Sequence, residues 1–90
     1  MLSPTKKLIK EKIEKILNEL KENNEIQNYM IQGNTVMIIT NMSEKEKNQF
    51  DSIFTTKLYH DLLPEYKEGK IANMPLIFTS LTETGLKIEF

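Results

Sequence analysis

An apolar stripe near the start of the chain limits what the rest can fold into. Ile9, Ile13, Ile16, Leu17 and Leu20 recur at the spacing of one helical face, and lysines and glutamates fill the other positions. A helix of this kind is stable only when its dry side lies on another apolar surface. Ser3 suits the N-cap, and Pro4 suits the first helical position, where its missing N–H costs nothing. Glu11 and Lys15 stand in the favourable i,i+4 order, and Asn23-Asn24 is a stop because Asn tolerates the left-handed conformation. The spacing predicts a helix over Pro4 to Glu22.

The remaining chain supplies the surface that this helix needs. Ile26 to Gln32 and Thr35 to Asn41 are rich in β-branched residues, and Gly33-Asn34 between them is a tight hairpin signal. Val36-Met37-Ile38-Ile39 is apolar at successive positions, which predicts a central strand covered on both faces. Ser43 and Glu46 form a capping box that opens a second helix, with Phe50, Ile53, Phe54 and Leu58 on one face. Leu63-Pro64 is expected to end or kink it, with Pro64 to Glu68 as one further turn and Gly69 as a cap. Pro75 opens a run from Leu76 to Leu81, and Thr82-Glu83-Thr84-Gly85 reads as a turn with Gly in the left-handed position. Leu86, Ile88 and Phe90 then alternate with Lys87 and Glu89, which places the apolar set on the core.

The order is helix, strand, strand, helix, strand, strand. It predicts an α+β fold over residues 1–90, one domain with two helices on one face of a four-stranded, mainly antiparallel sheet. The layout repeats once, although the residues do not.

Composition removes several classes of function. There is no cysteine, so disulfides and thiolate metal sites are out. Leu8 and Ile9 are followed at once by Lys10, Glu11 and Lys12, which is not a signal peptide, and the expected location is cytoplasmic. No apolar run approaches the roughly 20 residues that cross a bilayer, so no membrane partner is expected. Net charge is −1 and every basic residue is lysine, so the bidentate guanidinium contacts that read guanine and phosphate are missing.

Residues able to carry chemistry are sparse. His60 is the one histidine, in Tyr59-His60-Asp61, and neighbours on a helix point about 100° apart, so His60 and Asp61 are not expected to face each other. No nucleophile, base and orienting acid can be assembled there by spacing. One histidine and scattered carboxylates hold no metal-ligand pattern, and Gly33, Gly69 and Gly85 lie too far apart to cradle a phosphate. No catalytic residue, metal or cofactor is expected, and the chain is read as not an enzyme. The lysine-rich first helix invites a nucleic-acid reading, but Glu11, Glu14, Glu19 and Glu22 cancel most of the field a phosphate backbone would feel. KH domains begin helix–strand–strand, but their GXXG loop has no match, and the double-stranded RNA domain has a different element order.

Two features favour a protein partner. Lys57 and Asp61 fall inside the apolar arc of the second helix, as a solvated pair at its overhanging end or as a charged pair at a contact edge. Apolar residues also exceed what one core face absorbs: Met37, Ile39, Ile77 and Leu81, with Tyr29 or Met30, are candidates for an open sheet face used on a partner or on a second copy. Methionines at Met30, Met37 and Met42 would suit an adaptable surface. A final strand ending at Phe90 is a candidate exposed edge for strand addition. The leading expectation is a non-enzymatic protein-binding domain: a small subunit, adaptor or inhibitor, including a phage or mobile-element inhibitor of a host protein. The alternatives are an RNA- or DNA-binding accessory protein using the first helix, and a small enzyme with its site near Tyr59, His60 and Asp61.

Overall fold

Two helices and two hairpins form one layer of helix on one layer of sheet. The computed structural model describes residues 3–90. Helix α1 spans Pro4–Glu22, strands β1 and β2 span Asn28–Gln32 and Thr35–Ile39, helix α2 spans Glu44–Lys67, and strands β3 and β4 span Phe78–Thr82 and Gly85–Glu89. Each helix starts where its sequence directs. Ser3 Oγ accepts from the Lys6 N–H at 3.2 Å, and the Ser43–Glu46 capping box is closed in both directions. The ion pair on α1 is Lys10–Glu14 at 3.8 Å; none joins Glu11 to Lys15.

The sheet order is β1-β2-β4-β3, and every neighbouring pair is antiparallel. The C-terminal strand is therefore internal. Phe90 is buried and its N–H donates to Asn34 O at 3.0 Å, so the expected free edge at Phe90 does not exist, and the edges are β1 and β3. A two-residue loop joins β1 to β2, with Gly33 at φ 61°, the conformation that a type II′ hairpin requires of its first loop residue. Gly85 is not a left-handed turn residue. At φ 159° it opens β4, and a Cβ there would stand 1.8 Å from Ile38 O, so glycine is needed for β4 to approach β2.

One apolar cluster fills the space between the layers. Ile9, Ile13, Ile16 and Leu17 from α1 and Phe54, Leu58 and Leu62 from α2 meet Val36, Ile38, Leu86 and Ile88 from the two internal strands. Two expectations for α2 need correction. Ile53 is 70% exposed, and its place on the buried face goes to Leu62 and Lys47. The buried set is spaced Lys47, Phe54, Leu58, Leu62, and that face turns Ile53 outward. The helix also runs through Pro64 to Lys67 despite the hydrogen bond that proline cannot donate, and its last turn is held by the ion pairs of Glu65 with Lys12 and Lys70 and by bonds from Glu68 N–H to Pro64 O and Gly69 N–H to Tyr66 O.

The chain is built as two αββ halves. Asn24 at φ 60° ends the first helix and Gly69 at φ 77° ends the second. Each is followed by the same crossed pair of backbone bonds: Asn24 N–H to Lys21 O and Glu25 N–H to Leu20 O, then Gly69 N–H to Tyr66 O and Lys70 N–H to Glu65 O. Each half then drops one isoleucine into the core, Ile26 and Ile71. The halves part company directly afterwards. One residue, Gln27, leads from Ile26 into β1, whereas residues 72–77 lie between Ile71 and β3.

Candidate functional site

Strand register decides which side chains reach the face that the helices leave uncovered. Val36, Ile38, Leu86 and Ile88 point to the core, so their neighbours along each strand point away from it. Across that open face the middle row reads Met30, Met37, Lys87, Ser80. It is flanked by Asn28, Ile39, Gly85, Thr82 on one side and by Gln32, Thr35, Glu89, Phe78 on the other. Met30 and Phe78 are 60% and 64% exposed, and Met37 and Ile39 are half-buried by their lateral neighbours. The two charges on the face, Lys87 and Glu89, pair with each other at 3.3 Å. This leaves a nearly neutral, methionine-bearing surface, and its internal strands carry no aromatic residue for a base to stack on.

The residues singled out from sequence are thus divided. Met37 and Ile39 lie together on the open face. Leu81 does not join them: it pairs with Leu86, so it shares the helix side, where its edge position leaves it 38% exposed. Ile77 packs against the core cluster. Tyr29 likewise turns inward, its hydroxyl donating to Asn18 Oδ1 on α1, and burial followed by the charge of Glu14 raises its pKa. Val36 to Ile39 is internal in the sheet but covered on one face only.

Lys57 and Asp61 are not an ion pair. Lys57 is exposed, and Asp61 lies 3.5 Å from His60 Nδ1. The sequence-based expectation that His60 and Asp61 cannot meet is corrected here, because Nδ1 sits close to the backbone and swings within reach of the next residue. The His60 side chain is 85% exposed, and the Tyr59 hydroxyl donates to Pro75 O at 2.8 Å, which ties α2 to the loop before β3. Among the described residues, no three His, Asp or Glu side chains are grouped to hold a metal, and no helix is long and apolar enough to cross a membrane.

Sequence reading missed two places. The first is Lys47, a buried residue whose ammonium donates to Thr82 O at 2.7 Å. Its helical phase with Phe54, Leu58 and Leu62 was the available signal, hidden by the charge. The second is an open cleft of about 510 Å³ between the first turn of α1, the loop before β3 and the end of β4. Ile9, Met74, Leu76, Phe78 and Phe90 supply most of its apolar lining. No family model, curated protein or solved structure matches this chain.

Proposed function

We propose that this chain is a non-enzymatic protein-binding domain, a small subunit, adaptor or inhibitor that acts by covering a partner's surface. The open sheet face carries the reading. It presents Met30, Met37, Ile39 and Phe78 with its only two charges paired to each other, a composition suited to burial against protein and ill-suited to a phosphate backbone. Methionine adapts its shape to a partner at little cost, which fits a surface that must seal against another protein. The two edge strands, Asn28–Gln32 and Phe78–Thr82, contain no charged residue and no proline, so nothing in them discourages lateral contact at the rim of the same face.

Affinity capture with three baits tests the proposal: the parent protein, Met30→Lys/Met37→Lys, and Lys7→Glu/Lys10→Glu/Lys15→Glu. A defined protein partner held by the parent and by the α1 variant, but released by the sheet-face variant, is the expected result. Retention by the sheet-face variant, or a nucleic-acid partner lost with the α1 variant and with added salt, overturns it.

A further inference from the structure

The hairpins of the two halves correspond residue for residue. Adding 50 carries Asn28–Gln32 and Thr35–Ile39 onto Phe78–Thr82 and Gly85–Glu89, so both hairpins close with a loop of the same length. The seam between β2 and β4 obeys the same shift. Under it the pair Thr35–Glu89 becomes Gly85–Ile39, Val36–Ile88 becomes Leu86–Ile38, and Met37–Lys87 maps onto itself. The two backbone bonds that flank the seam also interchange: Thr40 N–H to Thr84 O at 2.9 Å and Phe90 N–H to Asn34 O at 3.0 Å. A local two-fold axis therefore passes between Met37 and Lys87.

The helices follow the same symmetry with a different offset. Adding 45 carries Ile9, Ile13 and Leu17 onto Phe54, Leu58 and Leu62, all of them buried, and Ile26 onto Ile71. The offset grows to 50 because residues 72–77 stand in the second half where Gln27 alone stands in the first. On the open face the equivalence lapses, with Met30 matched to Ser80 and Ile39 to Glu89. It holds for the residues that pack between the halves. An interface whose pairs interchange under a two-fold axis is isologous, the kind that two copies of one unit make. Each half thus offers the other the same surface that it receives.

We propose that this seam is a dimer interface enclosed within one chain, and that a second copy of the chain enters it by exchanging halves. In the exchanged dimer, residues 3–39 of one copy pack on residues 44–90 of the other. Every contact across the seam is then made twice, between chains instead of within them, and only the connector 40–43 changes its path. That connector has no helix or strand of its own. Because the contacts are the same, the connector sets the balance: a short flexible link gives an effective concentration on the order of 1 mM, so the closed monomer dominates below that value. The exchange uses the seam and leaves the open sheet face free, so it stands apart from the protein-binding reading.

The test is refolding from urea at chain concentrations of about 10 µM and about 1 mM, which bracket the effective concentration from below and at its level. Both samples are then diluted to the same concentration without denaturant, and mass is read by light scattering. A dimer about tenfold or more enriched in the concentrated sample is expected, and it should persist on dilution because exchange requires the halves to part. The variant Met37→Cys/Lys87→Cys puts two thiols at the centre of the seam of a chain that has no other cysteine. Cross-strand neighbours lie about 4.5–5.5 Å apart at Cα, within disulfide range. Oxidised as a dilute monomer before unfolding, this variant should refold at about 1 mM without dimer, while its reduced form dimerises as the parent does. Absence of dimer in the concentrated parent, a dimer that dissociates at once on dilution, or equal dimer from the oxidised variant overturns the inference.

Discussion

Replacing Gly85 with alanine should destabilise this protein more than the same change at either other glycine. An ideal Cβ at Gly85 falls 1.8 Å from Ile38 O and 3.2 Å from Thr40 N, while real Cβ atoms essentially never come closer than 3.0 Å. Both obstacles are backbone, so no rotamer change relieves them; β2 and β4 must separate locally. The bond from Thr40 N–H to Thr84 O, 2.9 Å long, lies in that region, as does the pairing of Ile38 with Leu86, both buried. Losing one or two backbone bonds at about 0.5–1.5 kcal/mol each, and straining the core at about 1–3 kcal/mol, gives about 1.5–6 kcal/mol in total. A 90-residue domain has about 5–13 kcal/mol of stability to lose. At Gly33, nothing lies within 4 Å of the added methyl, so Gly33→Ala carries only the left-handed backbone cost of about 1–2 kcal/mol. Urea unfolding followed by far-ultraviolet circular dichroism measures both, and the melting temperature of Gly85→Ala should fall by at least about 6 °C. If Gly85→Ala costs no more than Gly33→Ala, the close approach of β4 to β2 is not what requires glycine there.

Two other perturbations probe groups that hold the fold. Lys47→Met keeps the unbranched stem and removes a buried charge, so stability should stay within about 1 kcal/mol of the parent, while Lys47→Glu, which sets an unpaired anion against Thr82 O, should cost about 3 kcal/mol or more; equal losses in urea unfolding would refute this. Burial pushes the Glu65 carboxyl up, but hydrogen bonds from Lys12 and the charge of Lys70 outweigh it and leave the pKa below the ordinary 4.5. A carboxyl lowered on folding contributes stability that is complete above its unfolded pKa and is lost as pH falls through the folded value. Melting temperatures from pH 7 to pH 3 should therefore drop more steeply in acid for the parent than for Glu65→Gln, and parallel curves would show that the Lys12–Glu65–Lys70 cluster adds nothing.

Local chemistry alone determined the kinds of element, their order and several of their ends. Helix α1 runs from Pro4 to Glu22 as its apolar spacing and Ser3-Pro4 require, Gly33-Asn34 makes its hairpin, and Ser43 with Glu46 opens α2. These features depend on neighbours within about four residues along the chain, so they can be read from it. Tertiary packing decided the rest. Only the choice of β2 and β4 as internal strands buries Val36, Ile38, Leu86 and Ile88 under both helices at once, and that choice places Phe90 in the core rather than on a free edge. Strand phase could not be taken from the apolar run Leu76-Ile77-Phe78, because a run without alternation fits either face; register with β4 turned Leu81 toward the helices and Phe78 toward the open side. The same holds for the cleft: its lining comes from α1, from residues 73–76 and from the end of β4, which are distant in sequence and share a corner only once both hairpins lie side by side.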